Sequence, residues 1–441
     1  MMMVMIALAV VALMLLALQR GHDVRLVLIL GGIVLTSIVG RPLVIIDSIG
    51  KTLGNVEVTG PICSAMGYAF VLRAIGADKE LVALLARPLR SVGWLLIPGG
   101  VLIGFLTNIA IPSQTAAAAA VGPILLPLMY AAGFSRLASG ATLLVGCSIG
   151  GSLLNPGDAD IVAVHTATMI PVGDVIDTML VPSLVSVAVA IFVLVLQLRS
   201  MGMRSGEVHQ LDRANDKPLT VRRMLMAILA PLPVLVLFVT QPGLNLFPYI
   251  TQYYPHGLPV YSVMLAASFL AMAVSLSSSA PIAAQFSKLT VEFFDGMGYG
   301  LAKIVSIIIA AGCFIAGLHE IGVIKAISQL LLTDSSVAMI ASPVTTWLMA
   351  VMSGSGTAPA VSFAQAVLPT IVDAGAAHLA VVLGVLASIG ASIGRTMSPV
   401  SAVMYFVSDL STTEPRDLMR TVALPLVSGL IAAIACGLVS L

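Results

Sequence analysis

The sequence predicts an all-α, polytopic membrane protein made of two inverted copies of one helical unit. The 441-residue chain is 59% hydrophobic and 9% charged, with a mean hydropathy of +1.08, whereas soluble domains carry about 25% charged residues. Apolar runs long enough to cross a bilayer recur along it. Short stretches rich in Ser, Thr, Gly and Pro interrupt these runs in matched pairs, which indicates a duplication.

Each copy is expected to cross the membrane five times. The spans of the first copy are predicted at about 2–18, 26–46, 61–76, 137–170 and 178–198, and those of the second at about 223–242, 259–276, 300–318, 378–409 and 421–440. Because five is an odd number, the second copy is inverted relative to the first. The expected domains are a first membrane repeat (1–198), a cytoplasmic linker (199–222) and a second, inverted repeat (223–441).

Each copy also contains two apolar segments joined by a polar kink, at about 92–132 and 336–374. Such a pair is either two full spans or a re-entrant hairpin that turns back at mid-membrane, and the polar, Pro-bearing kinks favour hairpins. The two tips match, since Ser113-Gln114-Thr115 and Ser355-Gly356-Thr357 lie 242 positions apart. Irregular backbone at this depth survives only where protein or a water-filled cavity satisfies it, so the tips indicate a binding site.

Two spans are predicted to be broken helices. The span 137–170 contains Gly150-Gly151-Ser152 and Asn155-Pro156-Gly157, and the span 378–409 contains Gly-Arg-Thr-Met-Ser-Pro at 394–399. A broken helix exposes N–H groups that attract anions at one half-helix start, and C=O groups that can coordinate cations at the other half-helix end. Two tips and two breaks are therefore expected to enclose one midplane site.

Charge placement orients this frame. With the linker in the cytoplasm, 17 of the 21 Lys and Arg residues fall on the cytoplasmic side, including Lys288 and Lys303 in one loop, as the positive-inside rule requires. Both termini then lie outside, and the expected location is the cell inner membrane, multi-pass. The charged amphipathic stretches 77–91 and 319–334 are predicted to lie along the membrane surface.

Two classes of function are disfavoured by what the sequence lacks. A net charge of +1 indicates no nucleic-acid partner. The chain has no G-x-x-x-x-G-K-[ST] loop, which argues against an ATP-driven pump.

Arg395 is the only basic residue in the core of a predicted span. Because an intramembrane charge is costly and marks function by default, Arg395 is predicted to pair with an anionic substrate, the alternative being a buried ion pair. Asp158 and Asp160 are predicted either to couple transport to a cation or to cap the second half-helix. Asn108 and Asn155 either bind a cation or satisfy the backbone of the tips.

These arguments give two sets of candidate residues. The predicted substrate-binding residues are Ser113, Gln114, Thr115, Ser355, Gly356, Thr357, Arg395, Thr396 and Ser398. The predicted cation-coupling residues are Asn108, Ser148, Asn155, Asp158, Asp160 and Ser392. The scattered histidines His165, His319 and His378 are expected to be structural.

The S-x-T tips and broken helices resemble those of the ion transporter superfamily, in which Ser-Asn-Thr motifs at two hairpin tips bind carboxylate and sodium. Gln114 and Gly356 stand where that pattern has Asn. Within the superfamily, Met-Ser-Gly-Ser-Gly at 352–356 and Gly-Arg-Thr-Met-Ser-Pro-Val at 394–400 resemble DcuC-type anaerobic four-carbon dicarboxylate carriers. The resemblance covers essentially the whole chain. It implies a homodimer whose scaffold and mobile transport domains work as an elevator, and substrates such as succinate, fumarate or malate.

The expected function is secondary active transport of small carboxylates, above all four-carbon dicarboxylates, by cation symport or exchange. No cofactor is expected; the coupling ion is a proton or a sodium ion held near the hairpin tips. The alternatives are an amino-acid or monocarboxylate carrier, a channel, and an intramembrane hydrolase that uses Ser355 with His319 or His378. A hydrolase gives no reason to duplicate the Ser motif, and the position aligned with His378 is Arg136.

Overall fold

The computed structural model describes residues 2–20, 22–88, 95–202, 220–240, 246–255, 257–276, 281–323, 334–398 and 401–439. Every regular element in these ranges is helical. Most of the predicted linker 199–222 lies outside the described residues, with only 199–202 and 220–222 inside them.

The helices of the first half begin at the N-terminus and end with a long helix before the linker. They are α1 (Met2–Gln19), α2 (Val24–Ile38), α3 (Val44–Leu53), α4 (Val56–Ile75), α5 (Ala77–Ala86), α6 (Leu96–Ala110), α7 (Gln114–Ala131), α8 (Arg136–Ser148), a 3₁₀ turn (Gly151–Leu154), α9 (Ala159–Thr168) and α10 (Val172–Ser200).

The second half has a comparable series. It comprises α11 (Val221–Leu229), α12 (Leu232–Val239), α13 (Pro248–Tyr253), α14 (Val260–Ser275), α15 (Ile282–Gly300), a π turn (Leu301–Val305), α16 (Ser306–Glu320), α17 (Ser335–Ser353), α18 (Thr357–Asp373), α19 (Ala377–Thr396), α20 (Ala402–Ser411) and α21 (Pro415–Val439).

Within the described residues, eight helices are long and apolar enough to cross a membrane, or nine if α11 and α12 form one span. These two helices are bent by 63°, so the apolar run predicted to span the membrane at 223–242 is interrupted and forms either one broken span or a re-entrant segment. Pro231 and Pro233 lie at the bend. Each lacks a backbone N–H and clashes with the preceding turn, which explains the break.

Two further span boundaries differ from the prediction. The span 26–46 ends early, because α2 stops at Ile38 and Gly40 adopts a left-handed φ of 78° before Pro42. The span 300–318 is only the second part of one continuous helix, Ile282–Glu320. Lys288 and Lys303 therefore lie on a helix and not in a loop, and their predicted cytoplasmic side stays a prediction.

Close glycine contacts hold this long helix against α4. A Cβ added to Gly67 would lie 2.6 Å from the Phe293 ring, and one added to Gly296 would lie 2.6 Å from the Met66 carbonyl oxygen. Real Cβ atoms essentially never lie this close to another heavy atom. The backbones of α4 and α15 approach closely here because both positions are glycine, as in other membrane helix pairs.

The two stretches predicted to form surface helices differ in structure. In the stretch 77–91, α5 covers Ala77–Ala86, and 89–91 lie outside the described residues. In the stretch 319–334, His319 and Glu320 instead form the last turn of α16, and 324–333 lie outside the described residues.

Candidate functional site

Two helix pairs, α6–α7 and α17–α18, bring their connecting tips to the centre of the molecule. At the first tip, the Ser113 hydroxyl accepts a hydrogen bond from the Ala116 N–H at 3.4 Å. At the second, the Ser355 hydroxyl accepts one from the Ala358 N–H at 3.3 Å. Each serine hydroxyl therefore bonds an N–H in the first turn of the helix that follows. The backbones differ, because α7 begins directly after Ser113 whereas α18 begins two residues after Ser355, with Gly356 between them.

The two predicted broken helices are interrupted at matching places. The first break separates α8 from α9 and includes the 3₁₀ turn. The second separates α19 from α20 and is shorter than expected, because α19 continues through Thr396. Gly394, Arg395 and Thr396 therefore form the last turn of a helix and not the interruption itself. Pro399 lies outside the described residues.

The half-helices after the breaks begin with different residues. Asp158 precedes α9, and its carboxylate accepts a hydrogen bond from the Asp160 N–H at 3.0 Å. Ser401 occupies the same position before α20, but its hydroxyl makes no capping bond. The half-helix α9 thus starts with two acidic residues. The half-helix α20 has no acidic residue in its first turn, so nothing there neutralises the positive end of its helix dipole.

The carbonyl of Ser148, at the end of α8, joins one tip to both breaks. It accepts hydrogen bonds from the Gln114 amide and the Thr396 hydroxyl, both at 3.1 Å. The Gln114 amide also reaches the Ser392 hydroxyl, at 3.2 Å. A helix-end carbonyl that would otherwise be unsatisfied is therefore bonded from both halves of the chain.

Asn108 and Asn155 use their amides to stabilise the first tip and the first break. Asn108 donates to the Ile111 carbonyl at 3.2 Å and accepts from the Ser152 N–H at 2.9 Å. Asn155 donates to the Ile109 carbonyl at 2.7 Å and accepts from the Gly157 N–H at 2.8 Å. This geometry supports the backbone role, and neither residue lines the central cavity.

A cavity of about 260 Å³ lies between the two tips and the two breaks. Four buried polar atoms among the residues that line it have no hydrogen-bond partner: Gln114 Oε1, Asp160 Oδ1, Arg395 Nε and Ser401 Oγ. Buried polar groups left unpaired cost about 1–3 kcal/mol each. Their concentration around one cavity indicates a polar ligand.

Arg395 projects into this cavity from the end of α19. A Cβ added to Gly356 would lie 3.5 Å from Arg395 Nε, an ordinary van der Waals distance, so the guanidinium lies beside the second tip. Arg395 interacts electrostatically with Asp158 and Asp160. Within the described residues it forms neither an ion pair nor a hydrogen bond, so its donors remain available to a ligand.

The structure brings most of the predicted residues together. Those that line the cavity are Ser113, Gln114, Thr115, Asp158, Asp160, Ser355, Gly356, Thr357, Ser392 and Arg395. Those that do not are Asn108, Ser148, Asn155, Thr396 and Ser398. Four polar lining residues were missed by the sequence argument: Ser152, Tyr299, Lys303 and Ser401. Ser401 could have been found, because it lies 243 positions after Asp158.

The geometry gives no support for a hydrolytic site. No histidine is among the described residues that line the cavity with Ser355. His319 is in the last turn of α16, and His378 is exposed at the start of α19. His165 has its Nδ1 2.6 Å from the Ile170 carbonyl oxygen, a structural contact.

No group of three or more His, Cys, Asp or Glu side chains is placed to hold a metal ion in the described parts of the chain. Oxygen ligands from hydroxyls and carbonyls, which sodium would use, are present around the tips and breaks. A sodium site there stays a prediction.

Comparison with known proteins gives one family over most of the chain. The family model for DcuC, the C4-dicarboxylate anaerobic carrier, matches residues 45–440. The chain is 24% identical to the anaerobic C4-dicarboxylate transporter DcuC of Escherichia coli strain K12 over 408 residues, which cover 90% of this chain and 83% of that protein. It is 29% identical, over 54% of its own length and 81% of the relative's, to a Haemophilus influenzae protein described only as an uncharacterized transporter.

The fold also has a counterpart among solved structures. The crystal structure of the Alcanivorax borkumensis YdaH transporter matches with a TM-score of 0.67 at 15% identity, covering 94% of this chain and 96% of that one. The likeness concerns the fold alone. The family is shown by the family model, which matches residues 45–440: the chain belongs to the C4-dicarboxylate anaerobic carrier family, DcuC.

Proposed function

We propose that this protein is a secondary active transporter of four-carbon dicarboxylates, such as succinate, fumarate or malate. The observation that carries the proposal is the set of unpartnered buried polar atoms, on Gln114, Asp160, Arg395 and Ser401, around one cavity of about 260 Å³. Family membership supports a carrier and not an enzyme.

One substrate carboxylate is held at the second break. The Arg395 guanidinium presents a planar fork that matches a carboxylate, and the start of α20 adds the positive end of a half-helix. Ser355 and Thr357 at the second tip line the same space. Backbone N–H groups and hydroxyls thereby replace the water around the bound anion.

Transport of the dianion is coupled to cations or to exchange. The ionisable Asp, Glu, Lys and Arg residues among the described lining residues are Asp158, Asp160, Lys303 and Arg395, whose charges sum to zero when all are ionised. A bound dicarboxylate adds two negative charges to a low-dielectric site, which is costly. Protonation of the two aspartates, or binding of two sodium ions, restores neutrality. If neither occurs, transport must be an exchange, in which one dicarboxylate is released for each one that is bound.

The inverted-repeat frame is supported by matched helix contacts. A Cβ on Gly146 would lie 2.8 Å from the Val101 carbonyl oxygen, and one on Gly390 would overlap the Pro343 carbonyl oxygen. These are the same contacts 244 and 242 positions apart. In this frame the α6–α7 and α17–α18 pairs are re-entrant hairpins.

Two ion pairs agree with the topology of the frame. Arg223 and Glu80, both predicted to be cytoplasmic, are 2.7 Å apart. Arg41 and Glu320, both predicted to lie outside, are 2.9 Å apart. The remaining features of the proposal, namely an elevator motion, a homodimer and residence in the inner membrane, rest on the resemblance to the superfamily.

The test is uptake of a panel of radiolabelled carboxylates into proteoliposomes, with sodium and pH gradients imposed separately. Saturable uptake of succinate or fumarate that one of the gradients or internal dicarboxylate accelerates is expected. Uptake of amino acids or monocarboxylates in preference to dicarboxylates would favour the alternative carrier. Flux that neither saturates nor responds to gradients would indicate a channel.

A further inference from the structure

The long helix Ile282–Glu320 contributes a second basic residue to the cavity. Lys303 lines the cavity together with Tyr299, Ile304 and Ile307 of the same helix. Its side chain is exposed, whereas Arg395 is half-buried. Within the described residues Lys303 forms no ion pair or hydrogen bond. The ammonium group is therefore available at the open part of the cavity.

A π turn keeps this face of the helix directed at the cavity. In a regular α-helix, residues four apart are rotated by about 40° from each other, and residues eight apart by about twice that angle. Tyr299, Lys303 and Ile307 would therefore drift away from a common direction. The π turn Leu301–Val305 accommodates an additional residue in one turn and offsets the drift. Such turns are frequent at functional sites.

Contacts with α2 stabilise the π turn. The Arg25 guanidinium donates to the Ala302 carbonyl oxygen at 3.0 Å and to the Ser306 hydroxyl at 3.4 Å. A cation from another helix thus satisfies a carbonyl in the widened turn. This support fixes the position of Lys303 relative to the cavity, although Lys303 itself is not held by a partner.

We propose that Lys303 binds the second carboxylate of a four-carbon dicarboxylate whose first carboxylate is held by Arg395, and that it thereby selects dicarboxylates over monocarboxylates. The inference rests on the proposed function. The two cations come from different elements, the π turn and the end of α19. A monocarboxylate satisfies only Arg395, whereas a dicarboxylate also satisfies the lysine.

The different roles proposed for Arg395 and Lys303 follow from the chemistry of the two side chains. Arg395 is half-buried and offers a bidentate fork, which suits a carboxylate fixed in one orientation. Lys303 is a hydrated point charge on a flexible stem, which suits the far carboxylate of substrates with different backbones. Because Lys303 is exposed, its contribution is screened by salt and is smaller than that of a buried charge.

The experiment compares succinate with butyrate, which has the same number of carbons and one carboxylate, on purified full-length protein. Lys303→Gln is expected to weaken succinate binding about three- to tenfold and to leave butyrate binding unchanged. Lys303→Arg should retain most of the preference for succinate. Lys288→Gln is the matched control, because Lys288 is an exposed lysine on the same helix that does not line the cavity; it should change neither affinity.

The binding measurements distinguish failure of the proposed role of Lys303 from failure of the proposed function. Succinate affinity in Lys303→Gln equal to that of the parent, or an equal loss for both ligands, would overturn the role of Lys303 while leaving the proposed function standing. A loss in Lys303→Arg as large as in Lys303→Gln would also overturn it. If the parent protein itself binds no dicarboxylate, the proposed function fails, and this inference fails with it. Raising the salt concentration should weaken succinate binding more in the parent than in Lys303→Gln.

Discussion

Replacement of Arg395 by glutamine removes the cation that the proposed site uses for the first carboxylate. Arg395 forms no hydrogen bond within the described residues, and its Nε is buried without a partner. The substitution therefore breaks no internal hydrogen bond there. What it removes is a charge that attracts Asp158, Asp160 and any bound anion.

The expected magnitude follows from the strength of charged hydrogen bonds. Such a bond contributes about 1.5–3 kcal/mol, which corresponds to a roughly ten- to 150-fold loss of affinity. The lower part of this range is expected because Arg395 is only half-buried and solvent weakens its interactions. Arg395→Lys should recover little, since an ammonium cannot reproduce the bidentate fork.

The assay is succinate binding and thermal unfolding on the same purified variant. Loss of Arg395 leaves two aspartates without their counter-charge, so some destabilisation is expected. Adding Asp160→Asn should restore thermal stability without restoring succinate affinity. If Arg395→Gln binds succinate as tightly as the parent, or if the double variant regains full affinity, the assignment of Arg395 to the substrate is wrong.

Three further predictions concern the frame, the packing and the tips. Cysteines placed at Gly206 and Gln252 should react with an impermeant maleimide from opposite faces of the membrane, and labelling from one face would refute the inverted frame. Gly390→Ala should destabilise the protein by about 1–3 kcal/mol, because its Cβ would overlap a neighbouring backbone carbonyl. Gly298→Ala is the control and should not destabilise the protein, because a Cβ there meets open space. Equal melting temperatures for the two variants would contradict the close packing at Gly390. Thr357→Ala should weaken substrate affinity severalfold, as expected for one neutral hydrogen bond of about 0.5–1.5 kcal/mol, and unchanged affinity would remove this hydroxyl from the site.

The sequence was sufficient to predict the two helix pairs, their tips and the two breaks. Residues such as Pro and Gly interrupt a helix through their own backbone properties, so the break at Asn155-Pro156-Gly157 could be predicted without a structure. The matching motifs in the two halves of the sequence gave a second indication for each feature. Arg395 stood out because a charge within an apolar span is rare.

The position of Lys303 could not be predicted in the same way. The polar stretch that contains Lys288 and Glu292 is typical of a loop, but it forms a helix because Gly67 and Gly296 allow close packing against α4. Long-range contacts of this kind leave no local signal in the sequence. The π turn that directs Lys303 toward the cavity is likewise hydrogen-bonded by Arg25, which is far away in the chain.

The roles of the two asparagines also depended on three-dimensional geometry. A single amide can bind a cation or a backbone group, and the residue type does not distinguish these uses. The hydrogen bonds of Asn108 and Asn155 to four backbone groups identify them as supports for the tip and the break.

The most direct test of the central claim is a structure of the protein with bromosuccinate bound, because bromine marks the ligand unambiguously. The account predicts the bromine signal in the cavity between the two tips, with one carboxylate within hydrogen-bond distance of Arg395. A signal elsewhere, for example in the apolar cavity of about 300 Å³ lined by Pro171, Val234 and Pro255, would contradict it.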